Sequence, residues 1–315
     1  HYTKCHMELR ILKYTAISCV LALFWSCTKE VKIDIPGYKE QLVVDGRIET
    51  GQPAIVLLSK SANVYSSTNF ESYLNSFVDD AIVLLSDGTQ TDTLTKICTD
   101  DLPPGLEQVA AGIFGIPAEV LVNLHLCAYV SLNMVGEVGK TYTIQILHQG
   151  KAYQASSKIL SPTVPDSLYW KPEGNFNDRG FSWVQLSDPS TTSDAYSWEV
   201  KYAQDLQFSK PFSPYFNDKF FNGLTFEFAY ENPMSFNDPN GNDAYRGYYK
   251  LGDTIVVKLS KIGGKEYNYF EKKYNQIYSG GSPFAVPTNV PTNIEGGALG
   301  VWVAYSPWID TLVCQ

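Results

Sequence analysis

The sequence is short of the residues that most often do chemistry. It has four His and six Cys in 315 residues. No two Cys stand at CxxC spacing, and neither His125 nor His148 completes a metal-ligand pattern. HExxH, GxSxG, the P-loop and the Rossmann glycine pattern are all missing. Zinc proteases, elbow-type serine hydrolases, nucleotidases of the P-loop kind and dinucleotide enzymes are thereby set aside. The reading is a protein that is not an enzyme and carries no cofactor. Basic residues are outnumbered, 24 Lys and Arg against 33 Asp and Glu, for a net charge of -9. No basic cluster offsets this balance, so phosphate neutralisation is not on offer and no nucleic-acid partner is expected. A long apolar run is also lacking: Thr15 to Trp25 falls short of the roughly 20 residues that span a bilayer.

What the sequence does have is aromatic residues and turns. Tyr and Phe number 21 and 16, among 23 Gly and 17 Pro. Aromatic side chains pack well on a pleated surface, so this content favours strands. Gln41 to Thr50 and Ala54 to Ser61 read as a hairpin around Gly-Gln-Pro. Ala81 to Ser86 runs into Asp87-Gly88, a strong hairpin signal, and Thr91 to Ile97 returns from it. Lys140 to Leu147 alternates with period two and turns at His148-Gln149-Gly150 into Lys151 to Lys158. Leu102 to Leu126 breaks the pattern with Pro103-Pro104-Gly105 and reads as a short helix or an elaborated loop, a place for a recognition surface.

Two prolines flank Thr163-Val164 and mark the best domain boundary. Beyond it, Phe181 to Leu186, Ala195 to Tyr202, Leu224 to Tyr230 and Thr254 to Leu259 read as strands. One helix is expected near 264–278, with Tyr267, Phe270, Tyr274 and Ile277 on one apolar face and Gly280-Gly281 as its stop. The fold class expected is all-β: two β-sandwich-like domains, 41–162 and 163–315, with that amphipathic helix packed in the second.

The first 40 residues read differently. Met7 is the natural start. Arg10 and Lys13 precede the apolar stretch, which ends at Ser26-Cys27. A charged region, an apolar core and a small residue describe a signal peptide over 1–26. A small residue followed by Cys resembles the lipobox of bacterial lipoproteins, in which Cys27 takes the lipid and becomes the new first residue. The alternative is a plain secretory signal cut nearby. Residues 27–40 then form a tether, and anchoring needs more than one acyl chain.

Candidate sites are few. In an oxidising compartment Cys98 and Cys127 read either as a disulfide or as two buried thiols; Cys314 has no assigned role. His125, in an apolar neighbourhood, reads as an interior group. Asp238, Asn240 and Asn242 alternate as in a calcium loop, but Asp243 stands where the loop needs Gly and Tyr249 where it needs Glu, so an Asx-rich turn is the better reading. Among the aromatics between Tyr202 and Tyr249, Tyr215, Phe216, Phe236 and Tyr245 are candidates for a ligand or partner surface, with core packing as the alternative.

The order of short motifs carries a resemblance. LVVDGRI (Leu42 to Ile48), DDAIVLLSDG (Asp79 to Gly88), GKTYTIQI (Gly139 to Ile146), PDSLYW (Pro165 to Trp170), FNDKFFNG (Phe216 to Gly223) and NIEGGALGVWVAYS (Asn293 to Ser306) follow one another over most of the chain. Together with the lipobox they resemble the Bacteroidota lipoproteins grouped as domain of unknown function 4249. That resemblance implies an immunoglobulin- or transthyretin-like first domain. It also implies an outer-membrane lipoprotein, acylated at Cys27 and held to the membrane by lipid, which serves a TonB-dependent transporter as a binding or accessory component. A structural or adhesive envelope protein is the alternative. It supplies no catalytic residue and no ligand. O-glycosylation at Asp-Ser/Thr-apolar triplets, common in that phylum, points first to Ser167.

Overall fold

The structure, a computed structural model, describes residues 39–62, 69–174, 176–238, 241–279 and 289–315. The expected signal peptide, Cys27 and most of the expected tether lie outside the described residues.

Sixteen strands appear among the described residues. The first half holds β1 (Leu42–Glu49), β2 (Pro53–Lys60), β3 (Ile82–Ser86), β4 (Thr91–Thr93), β5 (Thr95–Cys98), β6 (Cys127–Val135), β7 (Thr141–His148) and β8 (Lys151–Lys158). The second half holds β9 (Ser167–Pro172), β10 (Arg179–Ser187), β11 (Ala195–Tyr202), β12 (Tyr215–Asn217), β13 (Thr225–Tyr230), β14 (Tyr249–Lys250), β15 (Thr254–Ile262) and β16 (Leu299–Val313). Four α-helices among the described residues join them: α1 (Phe70–Leu74), α2 (Glu107–Phe114), α3 (Ala118–Leu121) and α4 (Gly264–Ser279). The protein is mainly β, as its composition implies.

One eight-stranded sheet runs through both halves in the order β12-β11-β15-β16-β1-β2-β6-β5. Its centre is β16, a strand long enough to serve two neighbours. Leu299 to Tyr305 pair in parallel with β1, and Ser306 to Val313 pair antiparallel with β15. The close of the chain therefore returns to the first half, and Trp302 and Ala304 join the core of residues 42–159. The expected split at 162–163 is crossed by this strand.

Period-two alternation gives the long sheet two faces. On one, Val44, Val56, Leu58 and Trp302 pack against the small sheet β4-β3-β7-β8. Farther along, Trp198, Val257 and Leu312 share a second core with Val184 and Leu186 of β10, the central strand of the other small sheet, which β9, β13 and β14 flank. The opposite face is covered by helices. Ile55, Leu57 and Val130 lie under Ala110, Phe114 and Leu121 of the 102–126 insertion, which holds two helices rather than one. Val301, Val303 and Tyr305 lie under α4.

Two readings need correction. The run after Asp87-Gly88 is not one return strand: β4 pairs with β3, then buried Leu94 turns the chain and β5 pairs with β6 in the long sheet. The apolar face of α4 uses Tyr267, Tyr269, Phe270 and Tyr274, whereas Ile277 is exposed and outside that cluster. Gly280-Gly281 lie outside the described residues.

Candidate functional site

The four aromatics singled out for a surface divide into two pairs. Tyr215 and Phe216 are core residues. Tyr215 starts β12 and stacks on Phe270 of α4 at 4.1 Å, 3° from parallel, with its hydroxyl accepting from Lys210. Phe216 packs between Tyr196 and Phe228. Tyr215 is buried and Phe216 is half-buried, because each face of β12 packs on another element. Phe236 and Tyr245 are exposed, at 54% and 38%. Each sits on a short 3-10 turn, and Arg246 ties the turns together by donating to the carbonyls of Ser235 and Phe236.

Tyr245 belongs to a larger array. Phe176 meets it edge-on at 5.5 Å and meets Tyr248 at 5.4 Å. Tyr248 stacks on Phe181 at 5.0 Å, 12° from parallel. Phe181 and Trp183 alternate with Ser182, Val184 and Leu186 along β10, so the aliphatic side chains point inward and these two rings point outward. Across the strand pair Trp183 stands opposite Tyr169 in register, and the rings lie 15° from parallel at 6.5 Å. The ammonium of Lys171 rides 3.8 Å from the centre of the Trp183 ring, and the guanidinium of Arg179 rides 4.6 Å from that of Tyr245. Tyr169 donates to Glu227, and burial together with that carboxylate pushes the phenol up to about 12. Sequence reading missed Tyr169, Phe176, Phe181 and Trp183, and counted Tyr248 among the aromatics of 202–249 without singling it out. The available signal was a strand with aromatics on the face opposite its aliphatics.

A second concavity lies where the insertion meets the segment after β11. The cleft, about 690 Å³, is lined by Gln108, Ala111, Ile116, Glu119, Asp205 and Gln207 among others. Gln207 donates to the Gln108 carbonyl at 2.6 Å and holds the two sides together. At the base of the insertion, Cys98 and Cys127 face each other across β5 and β6 and are joined as a disulfide. His125 stands beside it, not in the interior: its side chain is 59% exposed and sits 2.8 Å from Asp100 and 3.7 Å from Asp79. The hydrogen bond and charge of Asp100 hold the imidazole above its ordinary pKa.

Asp238 and Asn242 take part in turns, as the Asx-rich reading expects. The side chain of Asn242 accepts from the Ala244 amide and caps a 3-10 turn, and the Asp238 carbonyl accepts from Gly241. Asn240 lies outside the described residues. Three other carboxylates do converge: Asp188, Asp194 and Asp218 are buried, with oxygens within 4.8 Å of one another. They are served from within the protein. Lys261 lies 2.6 Å from Asp194, the Asp194 amide donates to Asp218, and Tyr196 donates to Asp188. Burial, and after it the neighbouring carboxylates, hold Asp188 above its ordinary value. Ser167, placed by its sequence in the connector, is the exposed first residue of β9, opposite Gln185. Cys314 is buried as a free thiol, and burial pushes its pKa up to about 12.

These features define a mainly β, disulfide-containing protein whose outer surface carries an aromatic array and an open cleft. The chain belongs to the family described as domain of unknown function (DUF4249), whose model matches residues 28–307. No curated protein sequence matches it. Among solved structures, a two fibronectin type-III domain segment from chicken tenascin is 9% identical and covers 72% of this chain and 93% of its own, with a TM-score of 0.18.

Proposed function

We propose that the chain is a lipoprotein of the outer membrane, a non-catalytic binding or accessory component of a TonB-dependent nutrient transporter. The observation that carries this reading is the junction at Cys27. An apolar run ends at Ser26-Cys27, and the family match begins at the next residue, Thr28. A cut before Cys27 would leave the family's body whole, with the thiol free to take the lipid. The Cys98–Cys127 bond agrees with an oxidising compartment outside the cytoplasm. The aromatic array and the cleft give such a body surfaces with which to hold a ligand or a partner. The test is affinity capture of the full chain, expressed in its own host, from solubilised outer membrane. A TonB-dependent transporter is expected in stoichiometric amount. Repeated recovery of the chain without one contradicts the reading.

A further inference from the structure

We propose that the outer face of the β9–β10 strand pair, with Phe176, Tyr245 and Tyr248 beside it, binds a neutral oligosaccharide. This deepens the binding-module reading above but does not depend on the transporter.

Six rings form the site: Tyr169, Trp183, Phe181, Tyr248, Phe176 and Tyr245. None of them belongs to any of the four cores. Each is at least partly open to solvent. Scattered exposed aromatics are ordinary, but six neighbouring rings on one face, five half-buried and Tyr245 exposed, are not. Leaving apolar area in water costs about 25 cal/mol per Å², and such patches mark binding sites. The run follows ring to ring at 5.0 to 6.5 Å from Tyr248 through Phe176 to Tyr245, and from Trp183 to Tyr169. Phe181 and Trp183, two residues apart on one strand face, link the two parts over about 7 Å. The array is therefore a strip, longer than one monosaccharide.

The rings present faces, not only edges. Lys171 and Arg179 rest over the π faces of Trp183 and Tyr245. Lys171 is exposed and can leave the Trp183 face to a ligand, whereas Arg179 is held in place by Asp178.

The charges around the strip select the ligand class. Arg179 pairs with Asp178 and Arg246 with Asp243, each at 2.6 Å. Lys171 and Glu227 add one charge of each sign. The rim is thus rich in hydrogen-bonding groups but balanced, and it offers no field to gather a polyanion or a cation. An acidic body with net charge -9 repels nucleic acid as well. What fits is an uncharged molecule with flat C–H faces for the rings and hydroxyls in plane for the rim. A pyranose has both. Contact between sugar C–H groups and ring faces supplies dispersion, and the charged rim supplies donors and acceptors.

The test uses the full chain purified in detergent, titrated with maltohexaose, cellohexaose, xylohexaose and mannohexaose. Binding is read by tryptophan fluorescence and calorimetry. At least one of the four should bind, with an affinity that changes less than twofold between low and moderate salt. Tyr245→Ala and Trp183→Ala should each weaken it tenfold or more. Tyr245→Ala, at an exposed position, should keep the wild-type melting temperature. Phe220→Ala, exposed but away from the strip, should bind as wild type. Absence of binding to all four, full affinity in the Tyr245→Ala and Trp183→Ala double variant, or a steep salt dependence overturns the proposal. Saccharide binding without a captured transporter defeats the accessory reading alone. A captured transporter without saccharide binding defeats this inference alone.

Discussion

Glu49 of β1 and Lys258 of β15 meet at 3.2 Å across 209 residues of sequence. Lys258 also contacts Glu199 at 2.5 Å, and Glu199 lies 3.6 Å from Lys210. The four charges sit on the helix-covered face of the long sheet and join strands of both halves.

Truncation at this network is expected to be costly. Lys258→Ala leaves Glu49 and Glu199 without their shared cation and should lower unfolding free energy by about 3–5 kcal/mol. Burial pushes Glu199 upward, but Lys210 and Lys258 outweigh it and hold the group below its ordinary 4.5. Its contribution is therefore full above that pH and is lost as pH falls through the lowered value. Urea melts of wild type and variant between pH 3 and 7 should converge at the acid end. Parallel curves contradict the assignment.

The parallel pairing of β1 with β16 depends on Gly300. Its φ is +98°, and a Cβ there would lie 1.9 Å from the Val44 carbonyl oxygen. Gly300→Ala forces the two strands apart while straining the backbone. A loss of about 4 kcal/mol or more is expected, since core strands must move. Differential scanning calorimetry checks this, and a melting temperature within a degree or two of wild type refutes it.

The Cys98–Cys127 bond closes a loop with a sequence separation of 29. Cross-linking a loop of that order contributes about 3 kcal/mol, chiefly by restricting the unfolded chain. Reduction, or Cys98→Ala with Cys127→Ala, should lower stability by that amount. Limited proteolysis should then cut within 99–126 before any other described segment. Unchanged cleavage would mean that the helices α2 and α3 hold the insertion without the bond.

His125 should titrate above 6.5, with the hydrogen bond to Asp100 as the main cause. A raised histidine gives its stabilisation in full below its unfolded pKa and loses it as pH rises through the folded one. The pair is well exposed, so the effect on stability is small. The readout is therefore NMR titration of the ring. Asp100→Asn should bring its midpoint down, and an unmoved midpoint would assign the shift to Asp79.

Local sequence signals specified much of this architecture. Asp87-Gly88 makes its hairpin because the Asp87 carboxylate accepts from the amides of Thr89 and Gln90. Gln149-Gly150 turns β7 into β8 with both residues at positive φ. These are contacts within four residues, and composition states them. The role of β16 was not legible. Asn293 to Ser306 reads as one motif among others, yet its last residues pair with β1 and β15 from far along the chain, and no local pattern encodes a parallel partner. The candidate surface was half legible for the same reason. Tyr215 and Phe216 look like Tyr245 and Phe236 in sequence, but α4 and β13 pack on the first pair, while the second stays exposed at 38% and 54%. Trp183 and Tyr169 became visible only when register set them side by side. The Asp188, Asp194 and Asp218 cluster was missed because a loop and a strand pairing bring together residues that show no spacing rule.

The central claim is that a lipid on one sulfur holds this body at the outer membrane. The direct measurement is the mass of the N-terminal peptide from protein extracted from its native membrane. The account predicts a peptide that begins at Cys27 and carries a diacylglyceryl thioether with a further acyl chain. An unmodified Cys27 thiol, still joined to Ser26 and the residues before it, would contradict the account.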